Sequence, residues 1–323
     1  MPSLIAHSLC GEKALLQCDA GQLRKIINRH KRVFIYGCQG PDFLFFYRAL
    51  PLFDQKKASQ VQTLGTILHF QKIDEAFRFL LQRIRENPDE ESVSFLAGWL
   101  CHHALDARVH PYVYWRTHSL AGKVGYQHQQ LESQMERGIL DHFGLKTDEY
   151  VVWKMMKCRR GEMERPAQLV SDLINEVYGK DLSREVCLQA MRDFVTMART
   201  LHDVSGRRFR TISALEKLAG HPGRATALMV PLKYDDTLDA LNLRRDTWRH
   251  PVTGESCDAG VMQMFDQAGE ESRQRFVLLE SWLQCGEGIE ELLQLIGNRG
   301  YDTGTAAGTM TFFAHDQNQK ENV

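Results

Sequence analysis

The chain has 323 residues, 43% of them hydrophobic and 25% charged, with a formal net charge of -1. That length supports a sizeable core, and the composition is ordinary for a soluble globular protein. The near-neutral balance argues against a general nucleic-acid or anionic-membrane surface and leaves only local patches open. Runs such as "VFIYGC" and "FLFFY" are far too short to span a bilayer.

The start, "MPSLIAHSLCGEK", has no basic opening, long apolar stretch or convincing cleavage site, so it reads as no ordinary secretory signal. Apolar positions at helical spacing then predict helices over 73–87, closed by Pro88, and over 91–109, the most uniformly apolar of them. Further helices are expected over 125–143, 166–179, 183–206 and 269–297. Few segments alternate as strands do, so the expected fold class is all-α. One domain over 1–314 is expected, because no flexible linker interrupts the chain, with a polar, disordered tail over 315–323. The loop-rich stretches 218–236 and 248–258 join helices. The eight cysteines stand singly, with no C-x-x-C pair, and predict reduced thiols in a cytoplasm.

Histidines and carboxylates carry the chemical signal. In "CHHALDARVHPY", His102, Asp106 and His110 are spaced four apart and share one helical face, while His103 points elsewhere. Pro111 disfavours helical geometry at the residue before it, so His110 is expected at a frayed helix end. His128 and Glu132 are again four apart. Asp42 follows a Gly-Pro turn signal, His69 ends an apolar run, and His7 lies near the start. Each has a bland explanation: a hydrogen-bonded core histidine, a solvated pair, or a helix cap at Asp42. Together they suggest more, since ionised carboxylates and imidazoles are costly to bury without partners. A cation satisfies both, and mixed nitrogen and oxygen donors suit zinc better than magnesium or calcium. Five histidines and three carboxylates suit two or three ions. From spacing alone, a multi-zinc site and separately satisfied side chains both stand.

The order His7, "GPDFLFFY", "LGTILHF", "AGWLCHHALDARVHPY" and "HQQLE" resembles the zinc-dependent phospholipase C family, in its unsecreted bacterial branch. That family shares a trinuclear zinc site with the fungal single-strand nucleases. The resemblance implies that Asp42, His69, His102 and Asp106 hold a first zinc, and that His110, His128 and Glu132 hold a second. His7 and the other oxygen of Asp106 hold a third. Met1-Pro2 stands where the family has an N-terminal Trp ligand, and His110 follows Asp106 by four residues where the secreted members have six. Two to three zinc ions are therefore expected.

The implied chemistry is hydrolysis of a phosphodiester by a zinc-held water, with Asp42 and Asp106 as catalytic residues and no covalent enzyme intermediate. The implied substrate is a phospholipid or another phosphodiester. No stable nucleic-acid partner and no transmembrane segment are expected. The alternatives are a nuclease or nucleotidase with the same metals, and a catalytically silent structural metalloprotein. Aromatics in 42–53, with Tyr112, Tyr114 and Trp115, read as core packing, with an acyl or headgroup pocket as the other reading. The basic runs "RRGEMER" and "SGRRFR" read as solvated faces. The glycine-rich 297–310 lacks the Lys-Ser/Thr of a phosphate loop and resembles the family's C-terminal piece, which suggests that it folds over the site. His103, His118 and His142 are taken as non-ligands.

Overall fold

The computed structural model describes residues 4–50, 53–118 and 126–314; the tail over 315–323, expected to be disordered, lies outside them. The architecture is all-α. Helices α1 (Leu4–Leu16), α2 (Gly21–Arg29) and α3 (Lys31–Gly37) lead into a 3₁₀ turn at Asp42–Phe46. Then follow α4 (Gln55–Phe70), α5 (Ile73–Glu86), α6 (Glu90–Thr117), α7 (Tyr126–His142) and the single turn α8 (Val152–Met155). The chain continues through α9 (Glu164–Glu176), α10 (Arg184–Leu201), α11 (Arg207–Leu218), α12 (Val261–Cys285) and α13 (Ile289–Ile296). Two-residue strands β1 (Trp248–Arg249) and β2 (Ser256–Cys257) pair antiparallel within the connection before α12.

The start of α6 follows from its sequence. Asp89 accepts a hydrogen bond from the Ser92 N–H at 2.7 Å, and Glu90 and Glu91 lie in the first turn, where the helix dipole favours negative charge. The helix then packs against both α3 and α12. Its first half contributes Phe95, Leu96 and Leu100 to one apolar cluster, and its second half contributes Leu105, Tyr112 and Val113 to another. His102, Asp106 and His110 lie where these clusters meet along the helix.

Two expectations need correction. The helix read over 269–297 is two helices, because Gly286 and Gly288 take left-handed backbone (φ 79° and 86°) and break it between α12 and α13. His110 is also not at a frayed end, since α6 runs through Pro111 to Thr117. The proline has no N–H for the Ala107 carbonyl. Tyr112, Val113 and Tyr114 are buried, however, and their packing outweighs the local preference at His110. Gly304 (φ 63°) lies against this stretch: a Cβ there would come within 2.3 Å of the Ala107 carbonyl oxygen and 3.2 Å of the Pro111 ring.

Candidate metal centre

Five segments deliver the eight sequence-predicted residues to one buried region. His7 comes from α1, Asp42 from the 3₁₀ turn and His69 from the last turn of α4. His102, Asp106 and His110 come from α6, and His128 and Glu132 from α7. None exposes more than 5% of its surface. They form three donor groups: His7 with His102 and Asp106, Asp42 with His69 and His102, and His110 with His128 and Glu132.

Asp106 faces several neighbours. Its Oδ2 lies 3.0 Å from His102 Nε2, and its Oδ1 lies 3.1 Å from His7 Nε2 and 3.6 Å from His110 Nε2. Asp42 Oδ1 is 3.1 Å from His69 Nε2 and 3.7 Å from His102 Nε2. Glu132 Oε1 is 3.2 Å from His110 Nε2 and 3.3 Å from His128 Nε2.

Whether these donors suit a metal is tested by the atoms that make no hydrogen bond. His69 Nε2, His102 Nε2, Asp42 Oδ1 and Asp106 Oδ2 are all buried, and none is hydrogen-bonded despite its near neighbours. Buried polar atoms are seldom left so. Lone pairs aimed at a shared point rather than at one another produce this pattern. Zinc–ligand bonds of about 2.0–2.1 Å place neighbouring donors of a tetrahedron roughly 3.3 Å apart, in the middle of the separations found here. The ring orientations agree. His69 Nδ1 lies 2.7 Å from the Gly65 carbonyl oxygen and donates to it, which leaves Nε2 as the inward lone pair. The residues present therefore fit zinc.

Burial alone would raise the Asp106 carboxyl, but the imidazoles of His102, His110 and His7 hold it well below the usual carboxylate range. Burial likewise disfavours charge on His69 and His110, and the neighbouring carboxylates override it: Asp42 raises His69, while Asp106, Asp302 and Glu132 raise His110. Burial wins at His7 and His128, which are pushed down. Carboxylates thus prevail over burial at two of these imidazoles and burial prevails at two others.

The helix-cap reading of Asp42 does not hold. Pro41 takes the cap position of the 3₁₀ turn, with no side-chain cap bond. Gly40 (φ 53°) brings the backbone so near the centre that a Cβ would meet His102 Cδ2 at 2.2 Å. His103 has both ring nitrogens engaged elsewhere, Nε2 2.8 Å from the Arg299 carbonyl oxygen and Nδ1 3.1 Å from Arg275 Nη2. Phe43, Tyr112 and Tyr114 are buried in the packing rather than lining an open pocket.

Three residues near the centre carried no role in the sequence reading. Asp302 Oδ1 lies 3.3 Å from His110 Nδ1, and its other oxygen accepts a hydrogen bond from the Tyr114 hydroxyl. The Tyr301 ring lies 4.7 Å from that of His69, and its hydroxyl accepts from Trp99 Nε1 at 2.8 Å. Glu136, one turn beyond Glu132, accepts the Ile5 and Ala6 N–H groups at 2.9 and 2.8 Å, and burial pushes its carboxyl up to about 8. The "YDTG" stretch was legible as a piece near the site. The i+4 spacing of Glu136 from Glu132 was the available signal for that residue.

What the fold and the cluster define is an all-α protein whose buried imidazoles and carboxylates fit zinc. A model of the zinc-dependent phospholipase C family matches residues 6–183, more than half of the chain and all eight of these residues, and the chain belongs to that family. No curated protein and no solved structure matches it. Tyr301 and Asp302 lie outside the matched stretch.

Proposed function

We propose that the protein is a zinc-dependent hydrolase that cleaves a phospholipid or a related phosphodiester. Asp42, His69, His102 and Asp106 would hold one ion, His110, His128 and Glu132 a second, and His7 with Asp106 a third. The observation that carries this reading is the convergence of three buried donor groups from five segments, with His102 common to two of them. Zinc bound there would lower the pKa of a water toward neutrality and offset charge on the phosphoryl oxygens and the leaving alkoxide.

The chain's own residues do the rest. Asp106 links two donor groups, so its loss disturbs both. Asp42 would help to hold the first ion and orient the attacking water. The Gly65 carbonyl fixes the His69 ring, and Asp302 with the Tyr301 carbonyl fixes that of His110. Glu132, in place of the Asp usual in the nucleases, favours the phospholipase reading. The proposed place of action is the cytoplasm, supported by eight free cysteines in the structure.

The test compares zinc-loaded protein on phosphatidylcholine, single-stranded DNA and a chromogenic phosphodiester. Turnover of phosphatidylcholine and the chromogenic ester is expected, and Asp106→Ala abolishes it while circular dichroism stays unchanged. Silence across the whole panel in fully loaded protein overturns the proposal.

A further inference from the structure

Residues 204–233 have an unusual surface for a chain of near-zero net charge. They contain Arg207, Arg208, Arg210, Lys217, Arg224 and Lys233, all exposed, and a single carboxylate, Glu216. Glu216 is buried and consumed by hydrogen bonds, from the Gly223 N–H at 3.1 Å, the Thr226 N–H at 3.0 Å and the Thr226 hydroxyl at 2.6 Å. No acidic side chain within this stretch offsets the cations.

The same stretch also carries exposed apolar side chains. Val204, Phe209, Leu215, Leu218 and Leu232 expose 48%, 43%, 60%, 87% and 52% of their surface. Leu232 lies over the start of α11, its Cδ1 3.0 Å from where a Cβ on Gly206 would sit. Glu216 is the one buried side chain of α11, so helical geometry turns Leu215 and Leu218 outward, on the face flanked by Arg207 and Arg208. A solvated helix gains nothing from leucines on that face, and clustered exposed apolar groups mark interaction surfaces.

We propose that α11 and its flanks dock on an anionic lipid surface, the leucines entering the headgroup boundary and the cations pairing with acidic headgroups. Charge complementarity selects this occupant. Nucleic acid would use the same cations, but single strands are held by aromatic stacking, and the most exposed side chains here are aliphatic. The inference rests on the phospholipase reading and deepens it by placing the substrate in a bilayer. The mounting suits such a role: the Glu216 bonds fasten α11 to the turn at 223–226, and the Ser133 hydroxyl, next to Glu132, donates to the Ala227 carbonyl. The docking helix is thus tied to α7, which carries His128 and Glu132.

The test is co-sedimentation of the full chain with phosphatidylcholine vesicles, with and without phosphatidylglycerol, alongside turnover of a soluble chromogenic phosphodiester. Binding is expected only to the anionic vesicles and weakens as salt rises. R207E/R210E/K217E lowers the partition coefficient on the order of a hundredfold, and L215S/L218S lowers it about tenfold at unchanged charge. Soluble turnover is the same in all three proteins. Wild type that hydrolyses the soluble ester but ignores anionic vesicles overturns the docking surface and leaves the phosphoesterase reading standing. Vesicle binding without any turnover does the reverse. L215S/L218S bound as tightly as wild type, with single-stranded DNA displacing the vesicles, overturns the lipid assignment in favour of a general polyanion.

Discussion

Asp302 stands behind His110, its Oδ1 3.3 Å from Nδ1, while the Nε2 of the same ring faces Glu132 at 3.2 Å. A carboxylate behind a ligating imidazole fixes the ring's tautomer and raises its basicity, and loss of such a partner typically weakens metal binding about 10- to 100-fold. Asp302→Asn is therefore expected to weaken zinc binding at the His110–His128–Glu132 group by about that factor and to spare the group around Asp42. Competition with a chromophoric chelator, which separates tight from weak equivalents, checks this. Tyr114→Phe, which removes one hydrogen bond to Asp302, has a smaller effect of the same kind. Uniform weakening of all equivalents would contradict the assignment.

Gly40 offers a second test, through shape. Its left-handed backbone and the 2.2 Å approach of a hypothetical Cβ to His102 leave no room for a side chain. Gly40→Ala forces the imidazole aside or the turn outward, at a cost of about 1–3 kcal/mol. Lower zinc content and a lower melting temperature are expected together. A variant that melts early yet retains its full zinc would show that the ring had not moved.

The parts legible in the sequence share a cause. Ile73–Glu86 and Tyr126–His142 fell within a residue of the expected limits, because an apolar stripe and clear end signals coincide there. The pairs His102–Asp106 and His128–Glu132 were visible because both partners lie on one helix, where spacing alone sets the geometry. The distant partner was not. Asp302 sits in an irregular segment almost two hundred residues after His110, and nothing periodic announces which ring it will meet. Helix α11 went unread for a related reason: with only Glu216 buried, it has no apolar stripe facing a core. At 286–288 the error ran the other way, since apolar spacing on both sides of C-G-E-G masked the stop that its two glycines encode.

Removal of zinc should be felt throughout the fold. Asp42, Asp106 and Glu132 are buried against imidazoles, and Asp42 Oδ1 and Asp106 Oδ2 have no hydrogen bond to fall back on. A ligand that binds only the folded state stabilises by about 4 kcal/mol at a thousandfold excess over its dissociation constant. Chelator treatment is thus expected to lower the melting temperature by several degrees or more. Zinc restores it and magnesium does not, because imidazole nitrogens suit zinc and not a small oxygen-seeking ion. Differential scanning calorimetry of chelated and reconstituted protein decides the matter, and equal rescue by magnesium would point to an oxygen-only site.

Acid sensitivity should have a source beyond the zinc donors. His103 is fully buried, its Nε2–H donates to the Arg299 carbonyl oxygen, and its Nδ1 accepts from the Arg275 guanidinium. Burial first and Arg275 second push its pKa well below 6.5, so the folded state keeps the ring neutral while the unfolded chain protonates it near 6.5. The unfolded state then binds more protons in that interval, so stability rises with pH. The contribution is fully present above 6.5 and is lost as pH drops from there toward the folded-state value. One such group adds a slope of at most about 1.4 kcal/mol per pH unit. Gln at this position can keep both hydrogen bonds without titrating. In chelator-treated protein, where protonation of the zinc donors affects both forms alike, His103→Gln is expected to show a shallower loss of stability below pH 6.5 than wild type. Denaturant titrations at a series of pH values measure the difference, and identical slopes would assign the acid sensitivity to the other buried histidines.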